Sequence, residues 1–168
     1  MLRIRAGGAL GLAALLFLVD AAYLPALLSA IAVHELGHIV ALKLCRAEIL
    51  ELRLEFLGFC LVSTPPTSAF TEALCALSGP VCGLAWAVAI RRLHPVAAAF
   101  SLFLSLYNLL PALPLDGGRA LLALCKRRWA LRLTGALSAL FLLALALWAP
   151  LPMLLFPAFW LWLEALNA

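Results

Sequence analysis

His34-Glu35-Leu36-Gly37-His38 lies within an apolar run, with Leu24-Pro-Ala-Leu-Leu-Ser-Ala-Ile-Ala-Val33 before it and Ile39-Val-Ala-Leu42 after it. An ionisable side chain at the centre of a bilayer costs roughly 2.5–3.5 kcal/mol on insertion scales, so charge in such a run points to function. Residues four apart on a helix share a face. His34 and His38 can therefore grip one metal ion, with Glu35 beside it. This is the H-E-x-x-H arrangement of zinc hydrolases, in which the glutamate serves as general base.

The surrounding composition sets the solvent. Of 168 residues, 67% are hydrophobic and 12% charged, against about 25% charged in a soluble domain. The chain reads as an integral membrane protein of single-domain length, with the lipid bilayer as its outer partner. Its net charge of +4 comes from Lys and Arg at the ends of apolar runs, which set topology rather than bind nucleic acid. The five cysteines form no C-x-x-C pair and are odd in number, which argues against a disulfide framework.

Six apolar segments follow from hydropathy, at about residues 6–23, 25–44, 68–90, 95–113, 130–149 and 151–166. The first follows Arg3 and Arg5 and has no convincing cleavage site, so it reads as a retained helix. The sixth is short and interrupted by Pro152 and Pro157. Between the second and third, Glu51, Arg53 and Glu55 alternate with Leu52, Leu54 and Phe56. That period of two predicts a strand, with Gly58 turning it into a second strand over 59–63. The expected fold is an all-α polytopic membrane protein. It has about six transmembrane helices and a small interfacial β-hairpin; the family resemblance described below adds the expectation of a three-helix catalytic core. Orientation by positive charge puts Lys43, Arg46 and the Lys126–Arg132 cluster on the cytoplasmic side, opposed by Arg91 and Arg92. This places the His34–His38 end of the second segment nearer the cytoplasm, and the family resemblance described below implies a bacterial cytoplasmic membrane and an active site on that side.

A catalytic zinc site needs three protein ligands and one open position. His94, the third histidine, falls in a loop at the opposite face and is a poor candidate. Asn108-Leu-Leu-Pro-Ala-Leu-Pro-Leu-Asp-Gly-Gly-Arg119 offers a better one. Pro111 and Pro114 break the segment, and broken backbone survives at membrane depth only where protein or water satisfies it. Gly117-Gly118 then permits a tight turn. Asp116 reads either as an interfacial cap on the next helix or as a metal ligand. The histidine pair favours the ligand. The Asn108 amide reads either as an oxyanion or substrate-backbone donor or as a helix-packing group.

H-E-L-G-H together with N-L-L-P-A-L-P-L-D-G-G resembles the site-2 protease family of intramembrane zinc metalloproteases, including its compact branch of sporulation-factor-processing proteases. Ser78-Gly-Pro-Val-Cys-Gly83 is similar to a further family motif, with Gly83 where many relatives carry asparagine. The resemblance implies one zinc per chain held by His34, His38 and Asp116, with Glu35 activating water. It implies a single membrane-embedded protease domain over 1–168, with a catalytic core at about 25–128 and a C-terminal helical hairpin at about 130–167. The implied partners are transmembrane or membrane-associated protein substrates, and a membrane regulatory protein. Two rivals stand beside it: a catalytically silent scaffold of the same fold, and a metal-binding transporter. The complete set of proposed catalytic residues argues against the first, and the lack of an internal repeat argues against the second.

Overall fold

The computed structural model describes residues 2–4, 19–55, 58–64, 68–148 and 154–167. The expected first helix falls at 6–23, mostly outside the described residues. In chain order the elements are β1 (Leu2–Ile4), α1 (Leu24–Leu44), β2 (Ile49–Glu55), β3 (Gly58–Ser63), α2 (Ala69–Ile90), α3 (Pro95–Asn108), α4 (Asp116–Cys125), α5 (Arg128–Trp148) and α6 (Leu155–Asn167). Among the described residues, α1, α2 and Trp129–Trp148 of α5 are long and apolar enough to cross a membrane; α3 is apolar but shorter.

Local chemistry explains the helix starts. Pro25 stands in the first turn of α1 and Pro95 opens α3, positions where the missing amide hydrogen is not needed. The Ser68 hydroxyl accepts from the Thr71 amide at 3.1 Å, and Glu72 adds negative charge to the first turn of α2. The fourth apolar segment was expected to run to 113, but α3 stops at Asn108. Pro111 cannot donate to a helical carbonyl, and the Leu113–Pro114 peptide is cis. Leu115 is extended, and α4 starts at Asp116.

The packing is inverted relative to a soluble protein. Small residues face inward: Ala30, Gly37, Ala73, Ala76, Ala97, Ala98 and Ser101 are buried. Large ones face outward, with Leu36, Val81, Val88, Phe103 and Leu106 all more than half exposed. Lipid gives leucine no reason to hide, so close backbone approach is what joins the helices. α2 is central and packs on α1, α3 and α4. A Cβ on Gly37 would lie 2.7 Å from the Ser78 carbonyl oxygen, so glycine sets the α1–α2 spacing. Gly83 does the same for α2 and α3. The Ser101 hydroxyl donates to the Gly83 carbonyl at 2.9 Å, and a Cβ there would strike Ser105 Oγ. A close contact thus occupies this position.

Among the described residues, three strands form the sheet, in the order β1-β2-β3. The expected hairpin is present as β2 and β3, antiparallel, with Leu52 opposite Leu61 and Leu54 opposite Phe59. β1 is an addition: Leu2, Arg3 and Ile4 pair in parallel with Leu52, Arg53 and Leu54. Three residues without a turn of their own carry no strand periodicity, so this pairing was not legible. The α5–α6 hairpin packs through Ala139, Leu142, Ala158 and Leu161 onto Ala112 and Leu115, the broken stretch before α4.

Gly37→Ala should destabilise the folded protein by about 1–3 kcal/mol, because backbone rather than a movable side chain opposes the new methyl. Thermal unfolding in detergent measures this, and an unchanged midpoint would show that the two helices can separate freely.

Candidate metal centre

His34 and His38 project from one face of α1, and both are buried. The break between α3 and α4 turns the chain so that Asp116, also buried, meets them at the first residue of α4. Asp116 Oδ2 lies 3.1 Å from His34 Nε2 and 3.2 Å from His38 Nε2, and the two nitrogens are 3.3 Å apart. These three side chains are the one group among the described residues whose ligand atoms gather closely enough to hold a metal ion.

The donor set suits a metal. Bonds of about 2.0–2.1 Å arranged tetrahedrally put neighbouring ligand atoms roughly 3.3–3.4 Å apart, close to the three edges seen here. The His38 Nδ1–H donates to the Cys75 carbonyl at 2.8 Å. In the neutral ring this leaves the lone pair on Nε2, the atom facing His34 and Asp116. A hydrogen bond that fixes the tautomer in this way is the usual support of a metal-binding histidine. His34 Nδ1 is buried and has no hydrogen-bond partner among the described residues.

Glu35 is partly buried on the same helix, next to His34. Asn108 ends α3 and is not in the triangle: its Nδ2–H donates to the Leu104 carbonyl at 3.0 Å. His94 is exposed at the turn before α3, apart from the cluster, as expected.

Three contributors lie outside the residues singled out from sequence. The Cys75 carbonyl orients His38, and a backbone atom leaves no trace in residue type. Arg119 Nη1 lies 3.7 Å from Asp116 Oδ1, the oxygen turned away from the histidines. Gly79, in the Ser-Gly-Pro motif, makes room for the metal face: a Cβ there would strike the His38 imidazole at Nε2. The role of Gly117 and Gly118 is also corrected. They form the first turn of α4 rather than a tight turn, and a Cβ on either would collide with backbone at Leu109–Leu110 or Ala112–Leu113. Two glycines let the helix start press against the broken stretch, which carries Asp116 inward.

Comparison with known proteins agrees with this geometry. The model of peptidase family M50 matches residues 67–148. A solved structure, the site-2 protease from Methanocaldococcus jannaschii, superposes with a TM-score of 0.72 at 21% identity, covering 98% of this chain and 88% of that one. No curated protein matches. The chain is thus similar to peptidase family M50 over residues 67–148, a stretch that includes Asp116, and shares the fold of a site-2 protease. The resemblance to the site-2 protease family is borne out, with the M50 pattern in the sequence and the site-2 protease fold in the backbone.

Gly79→Ala should weaken metal binding by roughly 10–100-fold, the range for a disturbed support of a ligand. Chelator competition followed by elemental analysis reads this directly. Full metal retention would mean that the His38 ring does not need the space.

Proposed function

We propose that this chain is a zinc-dependent intramembrane endopeptidase that cuts membrane-embedded or membrane-associated proteins. The observation that carries the reading is the buried triangle of His34 Nε2, His38 Nε2 and Asp116 Oδ2, with a carboxylate one residue from the first histidine. His34, His38 and Asp116 would hold one zinc ion. Zinc, when bound, supplies Lewis acidity that polarises a carbonyl and brings the pKa of water to about 7.

The remaining chemistry falls to the chain. Glu35 takes a proton from the attacking water and returns it to the amine that leaves. The triangle is satisfied by its own three ligands, so Glu35 is free to shuttle protons without giving up a ligand position. Asn108, at the end of α3, holds the substrate backbone by exchanging its bond to the Leu104 carbonyl for one to the substrate. Burial of the ligands keeps bulk water from competing with the substrate.

A helical substrate hides its peptide bonds in internal hydrogen bonds and must extend before it is cut. The sheet offers a place to do so by strand addition. β2 is paired on both sides, so the available edge of the original hairpin is the outer edge of β3. The metal face lies within two to three turns of Lys43 and Arg46, which favours a cytoplasmic location for the site. Processing of a regulatory membrane protein is the biological setting we infer from the family resemblance.

Glu35→Gln should reduce cleavage of a co-expressed membrane substrate by about 10²–10⁴-fold while metal content persists. Asp116→Ala should lose the metal as well as the activity. Near wild-type cleavage by the first variant would move the base elsewhere, and undiminished metal in the second would remove Asp116 from the ligand set.

Strand addition has its own test. In a variant retaining only Cys60, in β3, crosslinking to single cysteines walked along an inactive-enzyme-bound substrate should alternate with a period of two. Uniform crosslinking, or none, would remove the sheet from substrate binding.

A further inference from the structure

The α5–α6 hairpin contributes no residue to the metal triangle, yet it carries a groove of about 460 Å³ at the start of α5 and the end of α6. It is an open groove rather than an enclosed cavity. Its walls are apolar, with Leu133 and Ala136 from α5 and Ala165 from α6, and two indoles, Trp129 and Trp162, stand along it. Among the described residues, Arg132 is the single charged residue in the lining. Gly135 lets the helices meet here: a Cβ on it would lie 3.0 Å from Ala165 Cβ.

The charge near the groove is mostly positive, with Glu164, between Trp162 and Ala165 in α6, as the acidic residue beside it in sequence. Lys126 and Arg127 are exposed immediately before α5, and Arg132 is exposed one turn into it. Tryptophans collect at the headgroup level of a membrane, where the indole body is apolar and its N–H is wet. Cations gathered at that level, beside a cleft between membrane helices, attract acidic headgroups. An apolar cleft ending in a guanidinium matches a molecule with an acyl chain and a phosphate. The geometry points to a binding site for one anionic glycerophospholipid, its acyl chain between α5 and α6 and its phosphate on Arg132.

Because the same hairpin packs on Ala112 and Leu115, the lipid sits on the element that backs the broken stretch before Asp116. The site therefore gives the C-terminal hairpin a ligand of its own, separate from the metal.

The test uses the full chain, stripped of lipid by detergent exchange and titrated with phosphatidylglycerol or phosphatidylcholine, with bound lipid read by native mass spectrometry. Wild type should retain phosphatidylglycerol in preference to phosphatidylcholine. Arg132→Gln should lower phosphatidylglycerol affinity by about five-fold, the effect of one interfacial cation, and leave phosphatidylcholine unchanged. Lys126→Gln with Arg127→Gln, which removes two charges outside the groove, should have the smaller effect. Ala136→Phe fills the cleft without touching a charge and should abolish selective retention. Equal binding of the two lipids by wild type would overturn the site. So would a loss in the Lys126/Arg127 variant as large as that in Arg132→Gln, or undiminished selectivity in Ala136→Phe.

Discussion

Two imidazoles and one carboxylate share a small volume between α1 and the first residue of α4, shielded from water. Each is a polar group whose burial costs free energy unless something pairs with it. The three ligand atoms converge at 3.1–3.3 Å, and the His38 tautomer directs a lone pair into the middle. The arrangement asks for a cation. The break in the membrane segment, the glycines around it and the central position of α2 all bear on bringing Asp116 to the histidines.

Small residues make that convergence possible. In a bilayer, helices gain little from hiding large apolar side chains, so contact depends on how closely backbones can approach. Gly37 and Gly83 set the distances between helices, whereas Gly79 clears space for the His38 ring. Gly117 and Gly118 press the start of α4 against the loop that precedes it. The same residue type thus acts in packing and in shaping the site, and the two uses meet in the Ser78–Gly83 stretch.

The C-terminal hairpin supports the site from its periphery. The α5–α6 hairpin holds the Ala112–Leu115 stretch from behind, so the broken segment has protein around it. In chain order, α1 leads into β2, and the β2–β3 hairpin separates α1 from α2.

Residue type and spacing alone determined a good deal. Apolar runs placed α1, α2 and α5 near their observed bounds, because membrane helices must satisfy their own backbone and need a minimum length. A period of two identified β2 and β3, and the i, i+4 spacing put both histidines on one face. Asp116 could be named because a carboxylate beside a proline break has few reasons to be there. Tertiary structure decided the rest. β1 joins β2 across nearly fifty residues, and a three-residue strand has no pattern to read. The Cys75 carbonyl that orients His38 is a backbone atom, common to every residue type. Arg119 reaches the second Asp116 oxygen only once α4 has formed, and Asn108 is turned to its own helix rather than to the triangle. Local sequence fixes period, length and breaks, but the meeting of side chains distant in sequence depends on how closely helices approach, and that is settled only when they pack.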